Sequence, residues 1–234
     1  NLLNIMVQPS PRTKLDNFYT GKKSYPFGDD LKQCANFDSY ESKTNLLTHP
    51  NGIPVVSPIY RTGARRLIKH SEIQDWQTIL DIYSRTGIWA LELLTKFPKA
   101  KVFGVEKSPG LTTIARYKFN KYNGGDLLKE VVDENLLSYW RHFREESMPH
   151  RDQIEFHISD FETAELKLDY FDNAIANQSL HWMNIEAAFE KINISLKKNG
   201  KVFWNTSSHF FDDKAFPTAK YGFKNNGFFG HVLD

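Results

Sequence analysis

From residue 78 onward, short apolar runs alternate with amphipathic stretches. Apolar runs at 78–83, 101–106, 153–158, 171–177 and 200–206 predict strands, and the stretches at 87–97, 109–121, about 126–146 and 184–198 predict helices. Strands that alternate with helices imply an α/β fold whose parallel sheet is covered on both faces. Local signals support the boundaries. Pro109 suits the first turn of its helix, where a missing N–H costs nothing. Asp126 can cap the helix after Gly124 and Gly125, and Asn199-Gly200 offers a left-handed stop for the 184–198 helix.

The first 58 residues read differently. Prolines and glycines recur there (Pro9, Pro11, Gly21, Pro26, Gly28, Pro50, Gly52, Pro54, Pro58) and break any long helix or central strand. A short helix near 29–47 is expected, and a second over 59–75 with Leu67, Ile68 and Ile73 on its apolar side. Arg61, Arg65, Arg66 and Lys69 on that helix could meet an acidic substrate, but a solvated face explains them more simply.

Composition narrows the function classes. The chain has 234 residues, and its 30 basic and 28 acidic side chains give a net charge of +2, so no overall field draws in nucleic acid. The mixed basic and aromatic run Tyr117, Lys118, Lys121, Tyr122 does not change that reading. The single Cys34 excludes an internal disulfide and fits a reducing, cytoplasmic setting. No apolar run reaches the roughly 20 residues of a membrane helix, and the first residues lack a signal-peptide pattern. The chain starts at Asn1, as a piece of a longer protein would. The eight histidines show no metal-binding spacing, so no metal site is expected.

The most informative stretch is 79–110, TILDIYSRTGIWALELLTKFPKAKVFGVEKSPG. An apolar run passes through Asp81 into a turn with Gly87, an amphipathic helix follows, and a second apolar run ends at Glu106. That is the layout of a nucleotide-binding βαβ unit. An acid at the end of the second strand suits a ribose, because one carboxylate can accept from both hydroxyls of a vicinal diol.

Four segments together resemble the class I S-adenosylmethionine-dependent methyltransferases, the small-molecule type. LDIYSRTG resembles that family's first motif, VFGVEKSP places Glu106 at its ribose-binding acid, FHISDFETAEL places Asp160 where an acid binds the adenine amino group, and YFDNAIANQSLHWM resembles the segment after the fourth strand. The similarity spans roughly residues 70–210. It implies a Rossmann-like core at 71–210 with a helical insert at 122–152 before the third strand, preceded by an extension or lid at 1–70 and followed by a segment at 211–234. The implied cofactor is S-adenosylmethionine, with Asp81, Tyr83, Thr86, Gly87, Glu106, Lys107, Asp160, Phe161 and Asn177 as its binding set. His181 is the implied catalytic residue and Trp182 a substrate-pocket wall. The expected partner is a small molecule, with no nucleic acid and no membrane.

Each residue also has a plainer reading. Asp81 could cap the next helix, Glu106 could be a solvated acid beside Lys107, and Asp160 could cap a helix starting at Phe161. Thr86 could cap its helix, Asn177 could end its strand, and His181 could be structural. The sequence departs from the family motif at Tyr83 and Arg85, which stand where glycines are usual. Residues after Thr206 are too few for the helix and antiparallel strand pair that the family adds. Competing readings are a methyltransferase-like scaffold without normal cofactor binding, and a nicotinamide oxidoreductase, which lacks its G-x-G-x-x-G fingerprint here.

Overall fold

The computed structural model describes residues 28–42, 46–48, 54–56, 59–123, 134–177, 179–207 and 228–233, with the single residues 128, 130 and 132. Helix α1 spans Leu31–Ser42, and Asp30 caps it through the Lys32 and Gln33 amides. Strands β1 (Leu46–Thr48) and β2 (Pro54–Val56) form an antiparallel pair, and α2 spans Ile59–His70. The core then runs β3 (Thr78–Ile82), α3 (Ile88–Lys96), β4 (Lys101–Glu106), α4 (Pro109–Lys118), α5 (Glu134–Ser147), β5 (Ile154–Ile158), β6 (Phe171–Asn177), α6 (Ile185–Ser195) and β7 (Leu196–Ser207). Strand β8 (Phe228–Leu233) closes the series.

The main sheet has the order β5-β4-β3-β6-β7-β8, parallel except for β8, which pairs antiparallel with β7. The chain leaves β3 toward β4 and β5, then returns to β6 on the other side. Strand β3 is therefore the switch point, and in open α/β sheets ligands bind beyond the carboxyl ends of the strands at such a point.

Alternate residues of each strand feed two apolar layers. Ile79, Val102, Ile154, Phe156, Ile175 and Phe203 face α2, α3 and the inner side of α4, while Leu80, Ile82, Val105, Ala174, Ala176 and Val202 face α6. This is the doubly covered sheet that the alternation predicts. A third cluster joins α1, the outer side of α4 and α5 through Cys34, Leu111, Ile114, Leu137 and Trp140. Helix α4 is thus covered on its outer side as well. Arg65 on α2 reaches across to Glu92 on α3 with two hydrogen bonds, of 2.6 and 3.2 Å, so this member of the basic cluster serves helix packing.

Several boundaries differ from the sequence expectation. The helix expected over 184–198 ends at Ser195, and β7 begins at once. Asn199 does adopt the left-handed conformation, with φ 68, but inside β7. There Leu196 pairs with Phe171 and Lys201 with Asn173, so the intervening residues bulge out of register. The left-handed signal marks a strand irregularity, not a helix end. The helix expected over 59–75 stops at His70. Residues 124–127, including the cap expected at Asp126, lie outside the described set, as do 1–27 and 208–227.

Candidate functional site

Pairing register places the strand-end polar residues on one face. Asp81 is level with Gly104 and Ile175, so Glu106 and Asn177, each two residues farther on, point to the same side as Asp81. That side is the α3 face, because Ile79 and Ile175 belong to its apolar layer. Three of the expected site residues are thereby brought together at the carboxyl edge, beside the loop that opens α3.

This loop, Tyr83 to Gly87, is shaped by backbone conformation. Tyr83 (φ 53), Arg85 (φ 50) and Gly87 (φ 78) are all left-handed. Tyr83 and Arg85 thus adopt the conformation glycine favours, at a cost of about 1–3 kcal/mol each. The surroundings hold them in place. Ser84 N–H donates to the Val105 carbonyl at 3.1 Å, and Gly87 N–H to the Ser84 carbonyl at 3.0 Å. Arg85 N–H donates to Glu106 Oε2 at 2.9 Å. A Cβ at Gly87 would come within 2.8 Å of Phe119 Cε2, so the ring fixes a glycine there independently of φ.

Glu106 is fully buried, not a solvated acid. Its other oxygen accepts the Ser108 N–H at 2.8 Å. Ser108 caps α4 by accepting the Leu111 N–H at 3.0 Å, with Pro109 behind it in the first turn.

Asp160 bridges the loops after β3, β4 and β5. Tyr83 OH donates to its Oδ1 at 3.3 Å, and Lys107 Nζ lies 2.5 Å from Oδ2. The Glu162 N–H also donates to Oδ1. Burial pulls its pKa upward, but the Lys107 hydrogen bond and charge, the Glu162 amide and the Tyr83 hydroxyl outweigh burial and hold the carboxyl below its usual range. Burial and the Asp160 carboxylate push the Tyr83 hydroxyl well up, so Tyr83 stays a donor. Residues 161–163 form a turn, so Asp160 does not cap a helix there.

Asp81 is the opposite case. Burial, reinforced by the Glu106 carboxylate and opposed by Arg85, pushes its pKa up to about 8. Its Oδ2 has no hydrogen-bond partner, and neither do Asn177 Oδ1, Ser84 Oγ and Ser179 Oγ. An orphaned buried polar atom costs about 1–3 kcal/mol unless a ligand or water meets it.

The remaining expected residues are placed as follows. Thr86 is buried and accepts from Lys118 Nζ at 3.4 Å, while Gly87 stands at the N-cap of α3 without a side-chain cap bond. The Phe161 ring is buried in the α6-side layer, and Trp182 packs against that same layer. His181 is on the 3-10 turn Leu180–Trp182 after β6, and its side chain lies outside the described set. Ser84, Ser108 and Ser179 went unrecognised in the sequence because a lone serine in a loop carries no pattern. Lys118 also went unrecognised, because it reads as part of an exposed basic run and is in fact fully buried.

The donor and acceptor chemistry suits one kind of ligand. The α3 face offers buried oxygens without donors at Asp81 and Asn177, with the Glu106 carboxylate on the same side. A ligand bearing an ammonium, a diol and an amino group would match that acceptor set. Among the described residues, no group of three or more His, Cys, Asp or Glu could hold a metal ion. No described helix is long and apolar enough to cross a membrane.

Comparison with known proteins gives a consistent picture. The family described as Methyltransferase domain matches residues 80–204. Malonyl-[acyl-carrier protein] O-methyltransferase of Acetivibrio thermocellus is 27% identical over 132 residues, which cover 56% of this chain and 36% of that protein. The chain thus spans about a third of the length of that curated relative. Two solved structures share the fold. A protein from Methanococcus maripaludis, named as a candidate S-adenosyl-L-methionine-dependent methyltransferase, superposes with a TM-score of 0.50 and 21% identity over 81% of this chain and 68% of that one. Geranyl diphosphate methyltransferase in complex with GPP and sinefungin gives a TM-score of 0.51 and 14% identity over 71% of this chain and 51% of that one.

Proposed function

The chain belongs to the methyltransferase-domain family and has the class I S-adenosylmethionine-dependent methyltransferase fold, and on that premise we propose that it methylates an oxygen or carbon nucleophile of a small molecule. The observation that carries the cofactor part of this reading is the shared face of Asp81, Glu106 and Asn177, with buried oxygens on Asp81 and Asn177 that have no donor.

When bound, S-adenosylmethionine supplies the methyl group on its sulfonium. The chain's own part is to bind, orient and exclude water. Glu106 would hold the ribose hydroxyls, since one carboxylate can accept from both of a vicinal diol. Asp81 would hold the ammonium group, whose positive charge would favour the ionised carboxyl. Asp160 would hold the adenine amino group, since among the described residues its Oδ2 accepts only from Lys107 while Tyr83 and the Glu162 amide hold Oδ1. Holding the reacting groups aligned can lower the barrier by several kcal/mol. A carboxylate acceptor needs no base. A hydroxyl or an acidic carbon does, and His181 is then the residue placed after β6 to take the proton, with Trp182 walling the acceptor site. The relative named as an O-methyltransferase supports the oxygen nucleophile.

A second reading is a methyltransferase-like scaffold that has lost cofactor binding. It is favoured by Tyr83, whose hydroxyl already occupies Asp160. A thermal-shift titration separates the two, with S-adenosylmethionine, S-adenosylhomocysteine and an NADH control. At about 100 times the dissociation constant a native-state ligand stabilises by roughly 2.7 kcal/mol, which raises Tm by several degrees. A shift with both sulfur ligands and none with NADH supports the enzyme; no shift with any of them supports the scaffold.

A further inference from the structure

Lys118 is a fully buried ammonium at the end of α4, and Asp38 on α1 is equally buried beside it, 2.8 Å away. Trp140 on α5 donates to the second Asp38 oxygen at 2.6 Å. The ammonium also lies 4.1 Å from the Phe143 ring centroid and 3.4 Å from Thr86 Oγ1. Thr86 sits between Arg85 and Gly87, two residues in left-handed conformation. A backbone held in such a conformation persists only where its surroundings over-determine it. Here part of those surroundings comes from a helix outside the sheet.

A second anchor ties α1 to the loop after β4. The Gly28 carbonyl, just before α1, accepts from Ser108 Oγ and from Gly110 N–H at 3.2 Å. Cys34 Sγ lies 3.6 Å from Ser108 Oγ, and a Cβ at Gly110 would meet that sulfur at 2.6 Å. Ser108 N–H in turn donates to Glu106. The segment 28–42 thus touches the loop after β4 directly and reaches the Tyr83–Gly87 loop through Lys118.

We propose that Asp38 and Lys118 are positioning residues that couple docking of α1 to the shape of the Tyr83–Gly87 loop, and so to cofactor binding. The word cofactor rests on the proposed function; the coupling of helix to loop does not. The charge balance makes the link strong. Without Asp38, the ammonium is buried beside the N-terminus of α3, where the helix dipole is already positive. A buried charge that loses a carboxylate 2.8 Å away is drawn toward water, which weakens its contact to Thr86.

Asp38→Asn tests this in the full chain by hydrogen exchange with and without S-adenosylhomocysteine. The expected result is at least about tenfold faster exchange at residues 83–91 in the ligand-free protein, with 101–106 and 154–158 unchanged, and roughly tenfold weaker S-adenosylhomocysteine binding by calorimetry. Reciprocally, the ligand should slow exchange in 31–42 of the wild type. Exchange at 83–91 equal to wild type, or acceleration spread evenly over all strands, overturns the coupling. A wild type that binds no ligand overturns the cofactor reading, while the ligand-free exchange still decides the coupling. Thr86→Val gives a second route if Asp38→Asn does not fold: it keeps the buried pair, and by the same reciprocity it should speed exchange in 31–42 as well as in 83–91, whereas unchanged exchange in 31–42 counts against the coupling. Unchanged exchange at 83–91 in that variant also counts against the proposal.

Discussion

Glu106 accepts a hydrogen bond from the Arg85 backbone N–H at 2.9 Å. The acid at the end of β4 therefore shapes the loop after β3 before any ligand arrives. Its other oxygen holds Ser108 N–H, so one carboxylate joins the openings of α3 and α4. A site built this way is pre-organised, and less ordering is left for the ligand to drive.

Glu106→Gln should therefore destabilise the ligand-free protein. The amide retains one acceptor and turns an N–H₂ toward the other backbone N–H. Hydrogen bonds to a charged group contribute about 1.5–3 kcal/mol, so a loss of that order is expected in urea unfolding. S-adenosylhomocysteine affinity should fall as well, by about tenfold or more, since one good hydrogen bond is on the order of 1.4 kcal/mol. A variant as stable as wild type would show that the loop stands without this carboxylate.

Tyr83 and Arg85 share a left-handed backbone, yet glycine at the two positions should behave differently. In Arg85→Gly, relief of about 1–2 kcal/mol of strain is offset by the greater freedom of the unfolded chain and by loss of the buried guanidinium beside Asp81, so stability should fall by less than in Tyr83→Gly. Tyr83→Gly removes a ring buried with Val105 and Phe161, and should cost about 3 kcal/mol or more. Paired denaturation curves check the asymmetry. Equal losses in both variants would mean that the Arg85 side chain holds the loop as firmly as the Tyr83 ring.

The sequence shows the sheet well because strand identity is a local property. Five apolar runs bounded by polar turns correspond to β3 through β7, and Asp81 and Glu106 stand out by position within them. What it hides is tertiary. Asp38 and Lys118 are 80 residues apart, and only the packing of α1 against α4 and α5 makes them partners. Asn199 shows a subtler limit. Its preference for left-handed geometry is real, but the same preference serves a helix end and a strand bulge, and pairing across Phe171 and Asn173 selects the bulge.

Gly87→Ala carries two penalties. The backbone at φ 78 disfavours any Cβ, and the added atom would lie 2.8 Å from Phe119 Cε2 and 3.2 Å from Phe156 Cζ. Left-handed strain alone is about 1–2 kcal/mol, and overpacking against two core rings adds about 1–3 kcal/mol. Chemical denaturation should show a loss above about 2 kcal/mol. A loss of about 1 kcal/mol would mean that Phe119 moves aside freely.

Asp81 should make stability and ligand binding depend on pH in opposite directions. Its pKa is raised in the native state to about 8 from an ordinary 3.8. Between those values the native protein holds a proton that the unfolded chain releases. The stabilising contribution is thus complete below the unfolded value and is lost as pH rises toward the native one. Asp81→Asn removes this titration, so its stability curve between pH 5 and pH 8 should be flatter than that of wild type, by up to about 1.4 kcal/mol per pH unit. Binding of a ligand ammonium at Asp81 requires the ionised carboxylate. Wild-type affinity for S-adenosylhomocysteine should therefore increase from pH 6 toward pH 8, with a proton released on binding near pH 7. Calorimetry in buffers of different ionisation enthalpy measures that proton directly. A wild-type binding enthalpy independent of buffer, with a flat pH profile, would place the ammonium elsewhere and leave the Asp81 oxygen to another partner.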